Sequence, residues 1–296
     1  MKYLVTGSSG LIGNQIVYDL EKSGQTVYSC YNDIKPRYGV STKLDLLNLE
    51  NIHQTFQQLK PDIIIHSAAL TDVEKCELEP SLANSINAKA TEIIAKEAEH
   101  FGSHLIYLST DYVFDGKKGL YNETDIPNPL NQYGRTKLLG EKNTESYTSK
   151  YSIIRTSTPF GTNSSKKTFP IWLLENIKKN TKVNLLEDQF TSPTYVPNLS
   201  KMILEISLRN LKGFFHLSGS TRISRFEFAK MIVQKLNLDQ SLLNPVKINA
   251  MSWKATRPLD SSLDISKAES ILNTKPLSIE KSLQEYIPLL IDSFSL

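Results

Sequence analysis

The sequence contains little of the chemistry that marks secreted or metal-binding proteins. Its 296 residues include 2 cysteines, Cys30 and Cys76, and 5 histidines. Neither cysteine stands in a CxxC or a Cys/His ligand spacing, so we expect no disulfide framework and no metal site. The beginning of the sequence leads directly into a strand-like segment and shows no signal-peptide pattern. We therefore expect a reduced, cytoplasmic protein.

Long apolar runs and an excess of one charge are also missing. No uninterrupted apolar run approaches the roughly 20 residues that cross a bilayer. Lysine and arginine number 34 against 31 aspartates and glutamates, and no dense basic run with interleaved aromatic residues occurs. Membranes and nucleic acids are therefore not expected partners. With 40% hydrophobic and 22% charged residues, the composition is typical of a folded globular protein.

The first half of the chain alternates short apolar runs with amphipathic stretches, the pattern of parallel strands joined by helices. Leu49, Ile52, Phe56 and Leu59 recur at helical spacing and predict a core-facing helix stripe. These features predict an α/β fold, with a Rossmann-type doubly wound parallel sheet. The predicted strands are residues 3–5, 26–31, 62–66, 104–109 and 151–155.

After about residue 159 the alternation weakens. We expect a helix at 169–178, a strand at 183–186, a turn-rich segment at 188–197, a strand at 214–217 and helices at 225–236 and 279–291. The chain therefore divides into a Rossmann domain at 1–160 and a smaller, mainly substrate-binding lobe at 161–296, with segments near 194–217 returning to the first domain.

Residues 6–13 read TGSSGLIG, directly after the first predicted strand and at the start of an amphipathic helix. Glycines there allow a tight turn and close approach of the backbone to a pyrophosphate, whose charge the helix N-terminus favours. The pattern predicts a dinucleotide-binding loop. The alternative, since short motifs give false positives, is an ordinary glycine-rich turn between a strand and a helix.

The end of the second predicted strand bears on the choice of dinucleotide. An acid there usually accepts a hydrogen bond from the adenosine ribose, but the strand ends at Asn32, and Asp33 follows it. Lys35 and Arg37 come next and are suited to a 2′-phosphate, so we predict NADP, with NAD as the second choice. The alternative is that both cations lie in a solvated loop.

Tyr133 and Lys137 are separated by four positions in a segment with helical character. That spacing puts both side chains on one helix face. A phenol has an unperturbed pKa near 10, so an adjacent ammonium that lowers this pKa would make it a useful proton-transfer group. The pair predicts acid-base chemistry, although a YxxxK pattern also arises by chance.

A run of polar residues follows the fourth predicted strand, in the segment LSTDYVFDG at 108–116. Ligands of open α/β sheets bind at the carboxyl ends of the strands. We therefore expect Thr110 to hydrogen-bond a substrate carbonyl while Tyr133 supplies the proton. In isolation, a hydroxyl at such a position is more often a turn or capping group.

Together these segments resemble the dTDP-4-dehydrorhamnose reductases, a family of extended short-chain dehydrogenases. The resemblance covers nearly the whole chain. It includes the glycine loop, the tyrosine-lysine segment and the polar run at 108–116. Further matching segments are Asp45-Leu46, KPDIIIHSAA at 60–69, TDVEKCE at 71–77, RTS at 155–157, Asp188-Gln189, SPT at 192–194, residues 213–219, Arg257-Pro258 and SLD at 262–264.

The resemblance implies that a dTDP-sugar is reduced at its 4-keto group by hydride from NADPH or NADH, giving dTDP-L-rhamnose. It implies catalysis by Thr110, Tyr133 and Lys137. The cofactor contacts that it implies, beyond Asn32, Lys35 and Arg37 above, are Gly7, Ser9, Gly10, Leu11, Ile12, Gly13, Asp45, Leu46, Ala68, Ala69, Tyr133 and Lys137. The substrate contacts are Thr71, Asp111, Val113, Phe114, Phe160 and Arg257.

One departure concerns the sugar, because relatives often carry an aromatic residue shortly after RTS, where this chain has Thr158 and Pro159. Phe160 is then the candidate to cover the sugar or the base. The last predicted helix is similar to the regulatory β subunit of methionine adenosyltransferase, which implies an NADP-binding regulatory subunit as an alternative. A sugar-nucleotide epimerase of the same fold is a third reading, and a homodimer is compatible with all three.

Overall fold

The computed structural model describes residues 1–162 and 167–294. In this part of the chain the strands are β1 Lys2–Thr6, β2 Thr26–Tyr31, β3 Val40–Lys43, β4 Ile63–His66, β5 His104–Thr110, β6 Tyr151–Thr156, β7 Pro159–Phe160, β8 Val183–Leu186, β9 Phe190–Thr191, β10 Thr194–Tyr195, β11 Gly213–His216, β12 Ile223–Ser224 and β13 Leu243–Val246. The α-helices are α1 Leu11–Lys22, α2 Leu49–Leu59, α3 Val73–Leu78, α4 Pro80–Asn84, α5 Ala90–Phe101, α6 Gln132–Tyr147, α7 Phe169–Lys178, α8 Val196–Leu208, α9 Arg225–Lys235, α10 Ser266–Ile271 and α11 Ile279–Phe294.

The central sheet has seven strands in the order β11-β6-β5-β4-β1-β2-β3, and every neighbouring pair is parallel. Strand order reverses beside β1, as in doubly wound folds. The predicted fold class is therefore confirmed. The five strands predicted in the first half are present, with ends that differ by one residue at most.

Alternate residues of the inner strands serve two different cores, because successive side chains of a strand point to opposite faces. Tyr3 and Val5 of β1 pack with helices α1 and α8, whereas Leu4 between them packs with α2 and α5. The same division holds in β4 for Ile65 and Ile64. Helices thus cover both faces of the sheet.

The second half of the chain both completes the sheet and builds a separate core. Strand β11 pairs with β6, and α8 packs on α1. The lobe has its own apolar cluster from α7, α9, α11 and the short strands β8 and β13. The segment predicted to be turn-rich contains β9 and β10 as well as the start of α8. Its two-residue strands pair with β12 and β7.

Strand β3 of the central sheet was missed by the sequence pattern. Strand β3 is short and mostly exposed, so it lacks the apolar run that predicted its neighbours. Within residues 1–162 and 167–294, no helix combines the length and the apolar character that crossing a membrane requires.

Candidate active site

A cleft of about 800 Å³ lies at the carboxyl ends of β1, β4 and β5 and continues to the first residues of α7 and α9 in the lobe. Cavities of this size accommodate small-molecule ligands. The predicted site residues that line it are Gly7, Ser9, Gly10, Leu11, Ile12, Gly13, Asn32, Asp45, Leu46, Ala68, Ala69, Thr71, Thr110, Asp111, Tyr133 and Lys137.

The glycine loop is packed so tightly that side chains do not fit at Gly7 and Gly13. Gly7 has φ +65°, and a Cβ there would lie 2.8 Å from the Cα of Ala68. A Cβ on Gly13 would collide with the carbonyl oxygen of Gly7. Gly10 donates its N–H to that carbonyl at 2.9 Å, and no side chain caps α1. The first N–H groups of α1 therefore suit an anionic group such as a pyrophosphate.

Two residues of the loop after β2 line the cleft, and two others do not. Asn32 and Asp33 line the cleft, and the Asn32 amide donates to the Asp33 carboxylate at 3.1 Å. Lys35 and Arg37 are exposed and are not among the residues that line the cleft. Their contact with a 2′-phosphate therefore stays a prediction.

Tyr133 and Lys137 lie on the first turns of α6. The Asn131 side chain caps the start of this helix and accepts a hydrogen bond from the N–H of Gly134 at 2.9 Å. The Lys137 Nζ atom donates to the carbonyl oxygen of Leu108 at 2.6 Å and lies 4.1 Å from the centre of the Tyr107 ring. Lys137 is therefore fixed beside the end of β5, and Tyr133 reaches the same place through its hydrogen bond with Thr110.

Burial shifts the pKa values of both residues of this pair. Burial raises the pKa of Tyr133, and the hydrogen bond with Thr110 lowers it by less. Burial also lowers the pKa of Lys137 to about 7, while the Glu141 carboxylate acts in the opposite direction. Burial and the hydrogen bond with Thr110 are the main influences on the pKa of Tyr133 in this structure, so the lowering of this pKa by Lys137 stays a prediction.

A buried polar network supports the floor of the cleft and was not predicted. His66 Nδ1 lies 2.7 Å from Thr6 Oγ1, and its Nε2 lies 3.0 Å from Thr91 Oγ1. Asn87, in a π-helical turn, accepts from the N–H of Leu70 at 2.8 Å and donates to the carbonyl of that residue at 3.1 Å. The available sequence signal was His66, a histidine at the end of an apolar strand.

The lobe contributes cleft residues that the sequence reading missed, among them Phe169 and Arg225. The Arg225 Cζ atom lies 5.4 Å from the centre of the Phe169 ring, and its guanidinium hydrogen-bonds the Tyr112 hydroxyl. Arg225 is the first residue of α9, where a cation opposes the helix dipole. An arginine at the start of a helix was therefore the signal for an anionic ligand.

Phe160 lies elsewhere than predicted. Its side chain is 0% exposed, and its ring centre lies 5.2 to 5.7 Å from those of Phe228, Tyr286 and Tyr195. The short strand β7 pairs with β10 and directs this residue into the lobe core. The prediction that Phe160 covers the sugar or the base is therefore wrong.

Three further predicted substrate contacts also lie outside the cleft lining. Val113 and Phe114 are both 0% exposed and pack in a small core, because the 3-10 turn after β5 directs them inward. Arg257 lies 3.9 Å over the Trp253 ring and donates to Glu74 at 3.4 Å. The assignments of Val113 and Phe114 are therefore corrected, whereas that of Arg257 stays a prediction, because its guanidinium acts on the pKa values of Tyr112 and Arg225, which line the cleft.

Comparison with known families supports the resemblance seen in the sequence. Residues 1–291 match the model of the RmlD substrate binding domain. A dTDP-4-dehydrorhamnose reductase from Aggregatibacter actinomycetemcomitans is 30% identical over 295 residues, covering 96% of this chain and 97% of that protein. The sequence-based recognition is therefore confirmed.

The crystal structure of dTDP-4-dehydrorhamnose reductase from Bacillus anthracis in complex with NADP is similar, with a TM-score of 0.89 and 31% identity, over 97% of this chain and 99% of that one. Subunit β of methionine adenosyltransferase 2 from Xenopus tropicalis is 32% identical over 276 residues, which cover 90% of this chain and 81% of that protein. The comparisons thus include both a reductase and a subunit of methionine adenosyltransferase 2.

Proposed function

The chain belongs to the RmlD substrate-binding domain family, and on that premise we propose that it reduces the 4-keto group of dTDP-4-dehydro-L-rhamnose to give dTDP-L-rhamnose with NADPH. NADH is the second cofactor to be considered. The observation that carries the proposal is that Thr110, Tyr133 and Lys137 line the same cleft as the glycine loop. The NADP complex of the similar Bacillus anthracis reductase supports the choice of cofactor.

The residues on the sheet side fit a dinucleotide. The uncapped start of α1 offers N–H groups to the pyrophosphate, and Gly7, Gly10 and Gly13 of the loop line the cleft. Asp45 and Leu46 line the end of the cleft that the adenine would occupy, and Ala68 and Ala69 line the part beside Tyr133. A bound nicotinamide would supply the hydride.

Tyr133 is suited to act as an acid in this direction of the reaction. Because burial raises its pKa, the phenol keeps its proton at neutral pH until negative charge develops on the keto oxygen. Lys137, with a pKa of about 7, stabilises the resulting phenolate in its ammonium form. We expect turnover to fall as Lys137 loses its proton above about pH 7.

The lobe side fits the nucleotide part of the substrate. Phe169 offers an aromatic face that can stack on a base, and Arg225 offers a guanidinium for the diphosphate. Both line the cleft opposite the glycine loop. We propose that these two residues, rather than Phe160, bind the dTDP moiety, with Thr71 and Asp111 nearer the sugar.

Turnover of the sugar by wild type and Tyr133→Phe tests the proposal. With the 3,5-epimerase supplying the substrate, loss of NADPH absorbance is expected for the wild type, and Tyr133→Phe should lower kcat by about 10²- to 10⁴-fold. Tyr151→Phe is the matched control, because its hydroxyl bonds Glu145 on the surface. Equal turnover by wild type and Tyr133→Phe would refute the catalytic assignment.

A regulatory role is the second candidate, favoured by the 32% identity to subunit β of methionine adenosyltransferase 2. Under this hypothesis the chain binds NADP and acts through the catalytic subunit of that enzyme. Tight NADPH binding without turnover of any dTDP-sugar, together with a stable complex with a methionine adenosyltransferase, would favour this role over the reductase.

We also propose the division into a cofactor-binding domain, residues 1–160, and a mainly substrate-binding lobe, residues 161–296, with segments near 194–217 returning to the first domain. The two apolar clusters, one around β1 and one among α7, α9 and α11, support it. A homodimer in the cytoplasm is the proposed assembly. Light scattering of the purified protein gives its mass in solution, and a monomeric mass at working concentration would contradict the dimer.

A further inference from the structure

Asp111 is a buried carboxyl group at the floor of the cleft, directly after β5. It is 3% exposed and is surrounded by three hydroxyl groups from different parts of the chain. Ser157 and Ser261 donate to its Oδ2 atom at 2.7 and 2.6 Å. Thr110 Oγ1 lies 3.0 Å from its Oδ1 atom. The two oxygens of this carboxyl therefore have different environments.

The surrounding hydrogen bonds restrict where a proton can lie. Ser157 Oγ accepts from the N–H of Ser192 at 3.2 Å, so its own proton is available to Asp111 Oδ2. With both serines donating to Oδ2, a protonated Asp111 carries its hydrogen on Oδ1 and donates it to Thr110. An ionised Asp111 instead accepts the Thr110 hydroxyl proton.

Thr110 therefore changes its role with the charge of Asp111. Its Oγ1 atom already accepts from the N–H of Tyr112 at 3.2 Å, so its remaining interactions are those with Asp111 and Tyr133. When Asp111 is protonated, the Thr110 hydroxyl is free to donate toward Tyr133 or the keto oxygen. When Asp111 is ionised, this hydroxyl donates to the carboxylate and is lost to the reaction.

Burial and the neighbouring groups shift the pKa of Asp111 in opposite directions. Burial raises the pKa of the carboxyl, whereas the three hydroxyls and the Arg225 guanidinium on α9 lower it by less. The phenols of Tyr112 and of Tyr133 on α6 also face it. A carboxyl with a raised pKa holds its proton to higher pH than an exposed aspartate does.

We propose that Asp111 is a positioning residue that resupplies the catalytic proton through Thr110. This inference rests on the proposed reduction. Hydride adds to C4 of the sugar, and the keto oxygen takes the proton of Tyr133. The phenolate then takes the Thr110 hydroxyl proton while Thr110 takes the carboxyl proton of Asp111. Asp111, now a carboxylate, regains a proton from water in the cleft, which it lines.

The pH profile of kcat at saturating substrate tests this relay. Asp111→Asn cannot supply a proton and should lower kcat by about 10²-fold, the lower range for a positioned proton donor. The wild type should lose turnover as the pH rises through the pKa of Asp111. This descending limb of the pH profile should be absent from Asp111→Asn. Because Lys137 also titrates near pH 7, its own limb should persist in both proteins.

A matched pair of serine variants identifies the limb that belongs to Asp111. Ser261→Ala removes a donor to the carboxylate, so it should raise the pKa of Asp111 and move the limb to higher pH. Ser262→Ala is the control, because its hydroxyl bonds Asp260 instead. A uniform loss at every pH in Asp111→Asn, or identical profiles for the two serine variants, would overturn the proposal and leave Asp111 a structural residue.

Failure of the relay and failure of the proposed function give different results. If the wild type turns over no dTDP-sugar, the reductase function fails, and infrared difference spectra then test Asp111 by itself. The wild type should show the band of a protonated carboxyl group at neutral pH, and this band should be lost in Asp111→Asn. In Ser261→Ala the same band should titrate at higher pH. Both results would support a protonated Asp111 that can supply a proton. Absence of this band from the wild type would overturn the proposal.

Discussion

Replacing Phe160 with alanine is expected to destabilise the fold rather than to weaken substrate binding. The side chain is 0% exposed and its ring centre lies within 6 Å of three other aromatic rings, at 5.2, 5.3 and 5.7 Å. Truncating a buried phenylalanine to alanine removes its transfer free energy and leaves a cavity, which costs about 3–5 kcal/mol. The aromatic contacts place this site toward the upper end of the range.

Urea unfolding followed by circular dichroism measures this loss directly, and the melting temperature should fall by roughly 6–20 °C, given about 2–4 °C per kcal/mol. Phe160→Leu, which keeps most of the volume, should lose only about 1 kcal/mol. Phe169→Ala is the matched control, since Phe169 lines the cleft and its loss should raise KM for the dTDP-sugar. The reasoning fails if Phe160→Ala keeps its stability within 1 kcal/mol and raises KM instead.

Three further predictions follow from other parts of the structure. Burial lowers the pKa of His66 and of His216 to about 3, so both histidines stay neutral in the folded protein above that pH. Because the unfolded chain takes up protons at these histidines, the free energy of unfolding should fall by about 1.4 kcal/mol per histidine for each pH unit below about 6. A stability in urea that does not change between about pH 7 and pH 5 would contradict this. Gly13→Ala should abolish the thermal stabilisation by NADPH, because the new Cβ collides with a carbonyl oxygen of the glycine loop; an unchanged shift would contradict the proposed pyrophosphate site. Lys35→Ala and Arg37→Ala should raise the Kd for NADPH but not for NADH, and an equal change for both cofactors would remove the 2′-phosphate assignment.

The fold was largely predictable because its inner strands are buried on both faces. Strands such as β4 and β5 consist of continuous apolar runs bounded by turns, and this pattern is strong in a sequence. The edge strand β3 was missed because its residues are mainly exposed. The short strands β9 and β10 were missed because two residues carry no periodicity.

The candidate site was predictable where a local motif determines both which residues take part and which way their side chains face. The glycine loop and the Tyr133-Lys137 pair have that property, since strand ends and helix spacing determine where they face. Phe160 does not, because only the pairing of β7 with β10 decides that it enters the lobe core. Arg225 reaches the cleft from a distant helix start, and that juxtaposition depends on how the lobe packs.

Transfer of deuterium from the cofactor to the sugar tests the central claim most directly. The protein is incubated with NADPH deuterated at C4 of the nicotinamide and with dTDP-4-dehydro-L-rhamnose, and the products are analysed by mass spectrometry and NMR. The account predicts dTDP-L-rhamnose with deuterium at C4 of the sugar, formed by the wild type and greatly reduced in Tyr133→Phe. Tight binding of the labelled cofactor with no deuterium in any sugar product would contradict it.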